Sequence, residues 1–335
     1  MIDEEAAPPL AAGVVVRERY RVDRVLVAEP TRRRYLVADL GSGRALVLHQ
    51  FLADWTDPAG HTEIRAWFSA ATTRWAALSH PGIVPVRDHW TTLENEASAL
   101  YLAVDHVPGL SLVEEWREAG GRIGWRQALD WTISIAEVLA HLHEQGMTFG
   151  QVRPAHFVLN VRTDTPVLVE FGLSQALDAA AGDQWGYFPF EQVIGRAEPR
   201  SDLYALGVLL HTLLGGADPD LTLARLRRQG LDAQRARHAL FPSASWSALS
   251  LPPPLAAVLT RATAFGSQDR YPSAAAMLEA LQAARGPRVE VEAAGVEREP
   301  ETLPPWTRLG LDRAAWFALP AATRNQKLLQ LAAKT

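Results

Sequence analysis

Residues 142–173 read LHEQGMTFGQVRPAHFVLNVRTDTPVLVEFGL. The stretch opens with the end of a helix, which Gly146 closes, because glycine tolerates the left-handed backbone that commonly follows a last helical turn. Two short apolar segments, Phe157–Leu159 and Val167–Val169, lie on either side of a polar turn and are typical of strands. The stretch ends with Glu170–Gly172, a carboxylate followed by Phe-Gly.

The chain before this stretch alternates apolar and polar residues in the manner of β-strands. The alternating segments are Arg19–Val27, Arg34–Asp39 and Arg44–Phe51, and they predict three antiparallel strands. We expect a helix over Thr62–Ala77 and two further strands between residues 84 and 107. Apolar residues three and four apart then predict a long amphipathic helix over Trp125–Gln145, which leads into residues 142–173.

These segments and the motifs among them resemble the eukaryotic-type serine/threonine protein kinases that occur in bacteria. Besides residues 142–173, which resemble the catalytic and metal-binding loops, the matching motifs are LSHPGIV at 78–84, LYLAVDHVPGLSL at 100–112, WGYFPFEQ at 185–192, SDLYALG at 201–207 and DRYPSAAAML at 269–278. The resemblance implies an α+β, bilobal protein-kinase-like fold with a β-rich N-lobe and a mainly helical C-lobe.

The resemblance also divides the chain. It implies an N-lobe over residues 17–107 and a C-lobe over residues 108–285. We expect residues 1–16 to form a disordered N-terminus, although β-type alternation begins at its end. Residues 286–305 are acidic and carry prolines, which is typical of a linker, and residues 306–335 become apolar again.

Composition excludes several classes of protein. The chain of 335 residues has a net charge of −5, which argues against a nucleic-acid partner, because nucleic-acid binding needs a basic surface. It contains no cysteine, so disulfides and thiolate metal sites are excluded. No run reaches the roughly 18 apolar residues of a membrane helix, and the acidic N-terminus does not resemble a secretory signal. We therefore expect a cytoplasmic protein without membrane contact.

The positions that bind phosphate in the kinases differ in this chain. The resemblance places Val27, Glu29 and Arg32 where the kinases have the three glycines of the phosphate-binding loop. His49 stands at the position of the phosphate-binding lysine, and the only lysines of the chain are close to its C-terminus. Ala71 stands where that lysine's glutamate partner would be, so the resemblance implies that both members of the ion pair are absent.

The catalytic and metal-binding positions differ as well. Gln151 replaces the aspartate that accepts the substrate proton, and an amide does not titrate near neutral pH. Arg153 replaces the lysine and keeps its charge, whereas His156 replaces a magnesium-binding asparagine. Glu170 replaces the magnesium-binding aspartate with a carboxylate that is one methylene longer.

Positions with an architectural role in the kinases are kept. They are Pro154, Phe171, Gly172, Glu191, Asp202 and Arg270, and the resemblance implies an ion pair between Glu191 and Arg270. This pattern predicts a pseudokinase, a kinase-like domain without phosphotransfer residues that acts as a regulatory or scaffolding module in signalling. No cofactor is expected, and binding of ATP and magnesium is expected to be weak or absent.

Two alternative functions stay open from the sequence. The first is a weak or atypical ATP-dependent transfer that uses Glu170 and Arg153. The second is a small-molecule or metal sensor in the former ATP cleft, where His49, His156 and Glu170 would together suit a transition metal. For Glu170 the sequence otherwise favours capping of nearby backbone amides. The three arginines at residues 32–34 could attract phosphate, but the sequence favours a solvated hairpin tip for them.

The C-terminal segment is the predicted partner site. Residues 306–335 carry an aromatic and leucine cluster that is too small to fold alone. The segment is therefore expected to dock either on its own C-lobe or on a signalling protein, and the sequence does not decide between the two.

Overall fold

A computed structural model describes residues 8–29, 31–53, 58–94, 97–173, 186–232, 235 and 249–286 of the protein. The described residues form two compact units. The first contains residues 8–107 and 169–173, and the second contains residues 108–168 and the described residues from 186 onward. Three parts of the chain lie outside the described residues. They are the predicted linker after Gly286, the C-terminal segment 306–335 and the segment 174–183.

The first unit is built on a six-stranded antiparallel sheet. Its strands are β1 (Val15–Val16), β2 (Tyr20–Ala28), β3 (Arg32–Asp39), β4 (Ala45–Ala53), β5 (Val86–Glu94) and β6 (Ala97–Asp105), in the spatial order β1-β2-β3-β4-β6-β5. The helix α1 (Pro58–Ala76) belongs to the same unit and packs against strands β5 and β6 of the sheet. Alternation places one face of each strand in the core, as in β3, where exposure alternates residue by residue.

The core of the first unit is aromatic and aliphatic. It contains Tyr20, Tyr35, Leu48 and Tyr101, which are almost completely buried. Gln50 lies between two of these tyrosines: its Oε1 accepts a hydrogen bond from the Tyr35 hydroxyl at 2.9 Å, and its Nε2 donates one to the Tyr101 hydroxyl at 2.8 Å. The side-chain amide of Gln50 therefore has hydrogen-bond partners within the sheet at both its oxygen and its nitrogen.

The N-terminal residues differ from the prediction. Residues 8–16, which the sequence places in a disordered N-terminus, contact the sheet. The backbone N–H of Gly13 donates to Val22, and β1 pairs with β2. The Leu10 N–H also donates to the Tyr35 hydroxyl at 3.2 Å. The partner of Leu10 lies 25 residues away in sequence, so local composition does not reveal this contact.

The second unit combines a small sheet with helices. Its three-stranded antiparallel sheet has the order β7 (Gly109–Ser111), β8 (Phe157–Asn160) and β9 (Thr165–Leu168). Its helices are α2 (Leu112–Glu118), α3 (Trp125–Glu144), α4 (Phe190–Val193), α5 (Pro199–Leu213), α6 (Pro219–Arg228), α7 (Pro253–Ala262) and α8 (Ala274–Arg285), with short 3-10 turns at Pro154–His156 and Ser267–Asp269. The predicted bilobal fold, with a β-rich N-lobe and a mainly helical C-lobe, is confirmed.

Local sequence explains where several of these helices begin. Ser111 forms a capping box with Glu114 at the start of α2. The Asp218 side chain accepts hydrogen bonds from two backbone N–H groups of α6, and Ser273 caps α8 in the same way. These caps satisfy backbone donors that have no partner within the helix.

Helix α5 is the central helix of the second unit, because every residue from Ser201 to Leu213 is buried. Gly207 allows a close approach to α7, since a Cβ at this position would lie 2.8 Å from the Cβ of Ala262. Gly109 is required at the start of β7, where its φ is +154° and a Cβ would lie 1.9 Å from the Leu159 carbonyl oxygen.

Residues 169–173 belong with the first unit, although the sequence assigns them to the C-lobe. Phe171 stacks on Trp75 of α1 with ring centroids 4.5 Å apart, and both side chains are about 6% exposed. This aromatic contact spans almost a hundred residues of sequence, which explains why the sequence boundary does not predict it. Among the described residues, no helix has the length and apolar content needed to cross a membrane.

Candidate functional site

Glu170 lies against two arginines of β3. One of its oxygens, Oε2, accepts a hydrogen bond from Arg32 Nη1 at 2.9 Å, and the other, Oε1, accepts one from Arg34 Nη1 at 2.5 Å. The Glu170 side chain is only 7% exposed, whereas those of Arg32 and Arg34 are 21% and 26% exposed. These arginine contacts belong to neither role considered from the sequence, backbone capping or metal binding.

The strand period explains the convergence of these two arginines. Residues two apart on a strand face the same side, so Arg32 and Arg34 share one face of β3. Arg33 faces the opposite side, where it is buried and its Nη1 donates to the Pro8 carbonyl oxygen at 3.1 Å. The predicted solvated hairpin tip at residues 32–34 is therefore wrong, since all three side chains have partners within the unit.

In the hairpin that corresponds to the phosphate-binding loop, two side chains of the hairpin pair with each other. Glu29 and Arg32 face each other across the turn between β2 and β3, with Arg32 Nε 3.1 Å from Glu29 Oε2. The Glu29 backbone N–H also donates to the Arg32 carbonyl at 2.9 Å. Val27 lies in β2 and pairs with Arg34. Residues with side chains therefore occupy all three positions at which the kinases have glycine.

His49 lies on β4 directly opposite Arg34 in the sheet register. It is 3% exposed, and this burial lowers its pKa to about 4, because the protonated ring is poorly solvated there. The charge of Glu170 acts in the opposite direction, while Arg34 and Arg32 lower the pKa further. Near pH 7 the side chain at the position of the phosphate-binding lysine is therefore neutral.

The position of the lysine's glutamate partner lies on α1. Ala71 is half-buried there, and Glu63 is exposed two turns earlier on the same helix. Residue 71 therefore supplies no carboxylate that could pair with the side chain of residue 49.

In the second unit, Asp202 holds the loop that resembles the catalytic loop. Its carboxylate accepts hydrogen bonds from the backbone N–H groups of Phe149, at 2.8 Å, and Gly150, at 2.6 Å. The His143 Nε2 lies 2.9 Å from the same carboxylate. Asp202 is 1% exposed, so these contacts satisfy a charge that would otherwise be costly to bury.

The side chains of this loop pack inward. The Gln151 side chain is buried. The backbone carbonyl oxygen of Gln151 lies 2.7 Å from His156 Nδ1. Phe149 is buried with its ring edge-on to His156 and Phe157. Pro154 begins the 3-10 turn that carries His156. Among the described residues, no group of three His, Asp or Glu side chains could hold a metal ion.

Arg153, which keeps the charge of the catalytic-loop lysine, is enclosed by aromatic rings and a carboxylate. Its guanidinium lies 5.5 Å from the Tyr187 ring centre, 4.9 Å from that of Phe188 and 3.6 Å from Asp220 Oδ2. Burial lowers the pKa of Arg153, and burial raises the pKa of Asp220, while each charge opposes the shift of the other. The arginine is thus tied to the N-terminal turn of α6.

Arg270 and Glu191 form a buried ion pair. Arg270 Nη1 lies 2.6 Å from Glu191 Oε1, and the Arg270 side chain is completely buried. The remaining nitrogens donate to backbone carbonyls, Nε to Ala264 at 2.8 Å and Nη2 to Phe265 at 2.9 Å. Tyr204 of α5 lies under the guanidinium at 4.8 Å. The pair therefore connects α4 to the segment before α8.

Several residues of these sites are not identifiable from the sequence. Arg34 stands out there only as part of a charge run, and no pattern connects Asp220, Tyr187 and Phe188 with Arg153. The spacing of Arg32 and Arg34 on a predicted strand is the one local signal that places both side chains on the same face. Their contact with Glu170 joins residues more than 130 positions apart, which no local pattern specifies.

Comparison with known proteins shows that the chain is similar to bacterial serine/threonine protein kinases. It is 30% identical over 217 residues to the serine/threonine-protein kinase PknA of Mycobacterium tuberculosis, a match that covers 62% of this chain and 49% of PknA. It is 24% identical over 277 residues to the serine/threonine-protein kinase PrkC of Bacillus subtilis, covering 78% of this chain and 40% of PrkC. No protein-family profile matches the chain.

The fold is similar to that of a solved kinase domain. The crystal structure of the PknI kinase domain of M. tuberculosis matches with a TM-score of 0.60 and 26% identity, covering 83% of this chain and 100% of that domain. The chain spans about half the length, or less, of the curated relatives it matches.

Proposed function

Because the chain is a homologue of the bacterial serine/threonine protein kinases and has the protein kinase fold, we propose that it is a pseudokinase. In this proposal the kinase-like domain lacks phosphotransfer and acts as a regulatory or scaffolding module that binds a signalling protein. ATP and magnesium bind weakly or not at all, and no other cofactor is required.

The observation that carries the proposal is the pairing of Glu170 with Arg32 and Arg34. Magnesium prefers several oxygen ligands in near-octahedral geometry. Here both carboxylate oxygens at the position of the metal-binding aspartate face guanidinium groups, which repel a divalent cation. The residues therefore do not fit a magnesium ion that would bridge nucleotide phosphates, and no phosphotransfer step is assigned to them.

The other positions support the same proposal. His49 is neutral near pH 7 and cannot neutralise a phosphate as a lysine does. Gln151 carries an amide, which cannot accept a proton from a substrate hydroxyl. Arg153 retains a charge, but its guanidinium is engaged by Asp220 and two aromatic rings. Substrate positioning, proton acceptance and metal binding are thus altered together, which disfavours a transfer that uses Glu170 and Arg153.

The retained architecture supports a binding role. Asp202 and the Glu191–Arg270 pair keep the second unit in a defined conformation, although neither group would contact a nucleotide in this proposal. We propose residues 306–335 as the segment that engages the protein partner, because its aromatic residues are typical of interfaces.

A thermal-shift experiment with ATP tests the proposal. The melting temperature is measured with ATP alone, with magnesium alone and with both, for the wild type and for Glu170→Ala. A ligand at a hundred times its Kd stabilises a folded protein by about 2.7 kcal/mol, which is readily detected. We expect no additional stabilisation when magnesium is added to ATP. Glu63→Ala, which changes an exposed glutamate of α1, is the matched control.

The opposite result would be a magnesium-dependent stabilisation of the wild type that Glu170→Ala abolishes and Glu63→Ala retains. It would show that Glu170 binds a metal–nucleotide complex, and the proposed pseudokinase would have to be abandoned in favour of an enzyme with a rearranged site.

A further inference from the structure

The contacts of Glu170 resemble those of a bound anion. Each of its two oxygens accepts a hydrogen bond from a different guanidinium, Oε2 from Arg32 and Oε1 from Arg34. The same groups recognise phosphate, because a guanidinium presents parallel N–H donors to the oxygens of a carboxylate or a phosphoryl group. The two arginines therefore offer an anion site that a side chain of the same chain fills.

A donor at this site is left unsatisfied. Arg34 Nε is buried and has no hydrogen-bond partner among the described residues. Both oxygens of Glu170 accept from the Nη1 atoms of the two arginines, and neither accepts from Arg34 Nε. A phosphoryl group offers three or more acceptor oxygens, so it has acceptors to spare for further N–H donors.

We propose that Arg32 and Arg34 form a metal-independent binding site for a phosphoryl-type oxyanion, which Glu170 occupies as an internal competitor. Exchange requires the Glu170 side chain to leave the arginines while residues 169–173 stay in place, held by the stacking of Phe171 on Trp75. The side chains of Arg32 and Arg34 are 21% and 26% exposed, so an incoming anion can approach them from solvent.

Charge sets the expected affinity. Arg32 and Arg34 contribute +2, and Glu29 and Glu170 contribute −2, so the cluster is neutral while Glu170 is in place. Replacing the Glu170 carboxylate by an amide leaves a net charge of +1. His49 is neutral near pH 7 and does not change this sum. The site is therefore weak in the wild type and stronger when Glu170 is neutral or displaced.

This inference is independent of the proposed function. It concerns anion binding without magnesium, whereas the pseudokinase proposal concerns the magnesium-dependent binding of ATP. Failure of one therefore leaves the other intact.

Binding of inorganic pyrophosphate in the presence of EDTA tests the inference. Titrations by calorimetry and thermal shift compare the full-length wild type with Glu170→Gln, which keeps the size of the side chain and removes its charge. We expect the half-saturating concentration of pyrophosphate to be at least tenfold lower for Glu170→Gln. Adding Arg34→Gln to this variant should remove the gain, and added KCl should weaken binding.

Asp105→Asn is the matched control. Asp105 pairs with Arg87 through both its oxygens in the same unit, so this variant also removes the partner of an arginine. It should not bind pyrophosphate more tightly than the wild type. An equal gain in Asp105→Asn, or binding that persists in Glu170→Gln/Arg34→Gln, would show non-specific attraction and overturn the proposal.

Two further ligands distinguish free phosphate from the phosphoryl groups of a nucleotide. ATP without magnesium should bind Glu170→Gln at least as well as pyrophosphate if nucleotide phosphates fit the site, and more weakly if only a free anion fits. Adenosine should not bind, and its binding would contradict recognition through phosphoryl oxygens. Should Glu170→Gln fail to fold, Arg34→Gln alone must abolish the weak pyrophosphate binding of the wild type, and retained binding would refute the site.

Discussion

At the scale of single residues, the side chains around Glu170 form one electrostatic group. Glu29, Arg32, Glu170 and Arg34 follow one another in contact, and His49 lies beside them in the sheet. Exposed ion pairs contribute little to stability, but Glu170 is almost buried, so its partners offset a large desolvation cost. The replacements at these positions are therefore mutually compatible in the folded chain.

Burial of His49 predicts a pH-dependent stability. Its pKa is about 4 in the folded protein and about 6.5 in an unfolded chain, so the unfolded state binds the proton more readily between these values. The free energy of unfolding should therefore fall as the pH is lowered from 7.5 to 5, by about 2 kcal/mol from this residue. His211, whose pKa burial also lowers to about 4, adds to the fall.

Urea denaturation of His49→Gln at several pH values measures this contribution. The variant should show a shallower decrease of the unfolding free energy with acid than the wild type. Equal slopes for the two proteins would mean that His49 is not buried in its neutral form.

The sequence predicted the identity of the altered residues but not their contacts. The resemblance to the kinase family placed His49, Gln151 and Glu170 at functional positions of that family. The sequence could not show that Arg32 and Arg34 neutralise Glu170, because this pairing depends on how residues 169–173 pack against the sheet. It likewise gave no sign that Asp220 pairs with Arg153, since the charged partner follows 67 residues later.

At the scale of the elements, the second unit keeps its loops in place through buried polar anchors. Asp202 on α5 holds the backbone at Phe149 and Gly150, and Gln192 Nε2 donates to the Gly150 carbonyl at 2.6 Å. These contacts order a loop whose side chains no longer serve phosphotransfer in the proposed function.

The Glu191–Arg270 pair should be important for the stability of the second unit. Arg270→Ala leaves Glu191 without its charged partner and removes several donors to backbone carbonyls. Breaking a buried pair in this way costs about 3–5 kcal/mol. Guanidinium denaturation of Arg270→Ala should show a loss of this size.

Arg235→Ala is the control for this measurement. Arg235 is 82% exposed and pairs with Asp232 on the surface, so its replacement should change the unfolding free energy by less than about 1 kcal/mol. If the guanidinium concentration at half-unfolding were the same for Arg270→Ala, Arg235→Ala and the wild type, the Glu191–Arg270 pair would have no stabilising role.

The elements themselves were predictable because their patterns are local. Alternation identified the strands of the first sheet, and three-four spacing identified α3 within one residue of its observed end. Residues 8–16 were not predictable, because Pro8 and Leu10 gain their partners only when β3 is already folded. Non-local hydrogen bonds thus account for the main departure from the expected architecture.

At the scale of the whole molecule, the differences from the kinase pattern fall into one class. Architectural positions in both units keep the residue types of the family, while the positions for phosphate, metal and proton transfer differ in both units. Restoring one catalytic group should therefore not restore activity, because such residues act as a unit.

Gln151→Asp provides the corresponding experiment. The variant supplies a carboxylate at the base position but leaves His49, the side-chain-bearing hairpin and the arginine-paired Glu170 unchanged. We expect no autophosphorylation when it is incubated with ATP and magnesium and its intact mass is measured. A gain of 80 Da per molecule (about one phosphoryl group) would contradict the expectation that these residues act as a unit.

The most direct test of the central claim is a measurement of phosphoryl transfer by the wild-type chain. The protein is incubated with γ-phosphate-labelled ATP, magnesium or manganese, and a general protein substrate, beside an active serine/threonine kinase as positive control. The account predicts no label on the chain or on the substrate above a reaction without protein. Label that depends on the chain, requires the metal and is lost in Glu170→Gln would contradict the account.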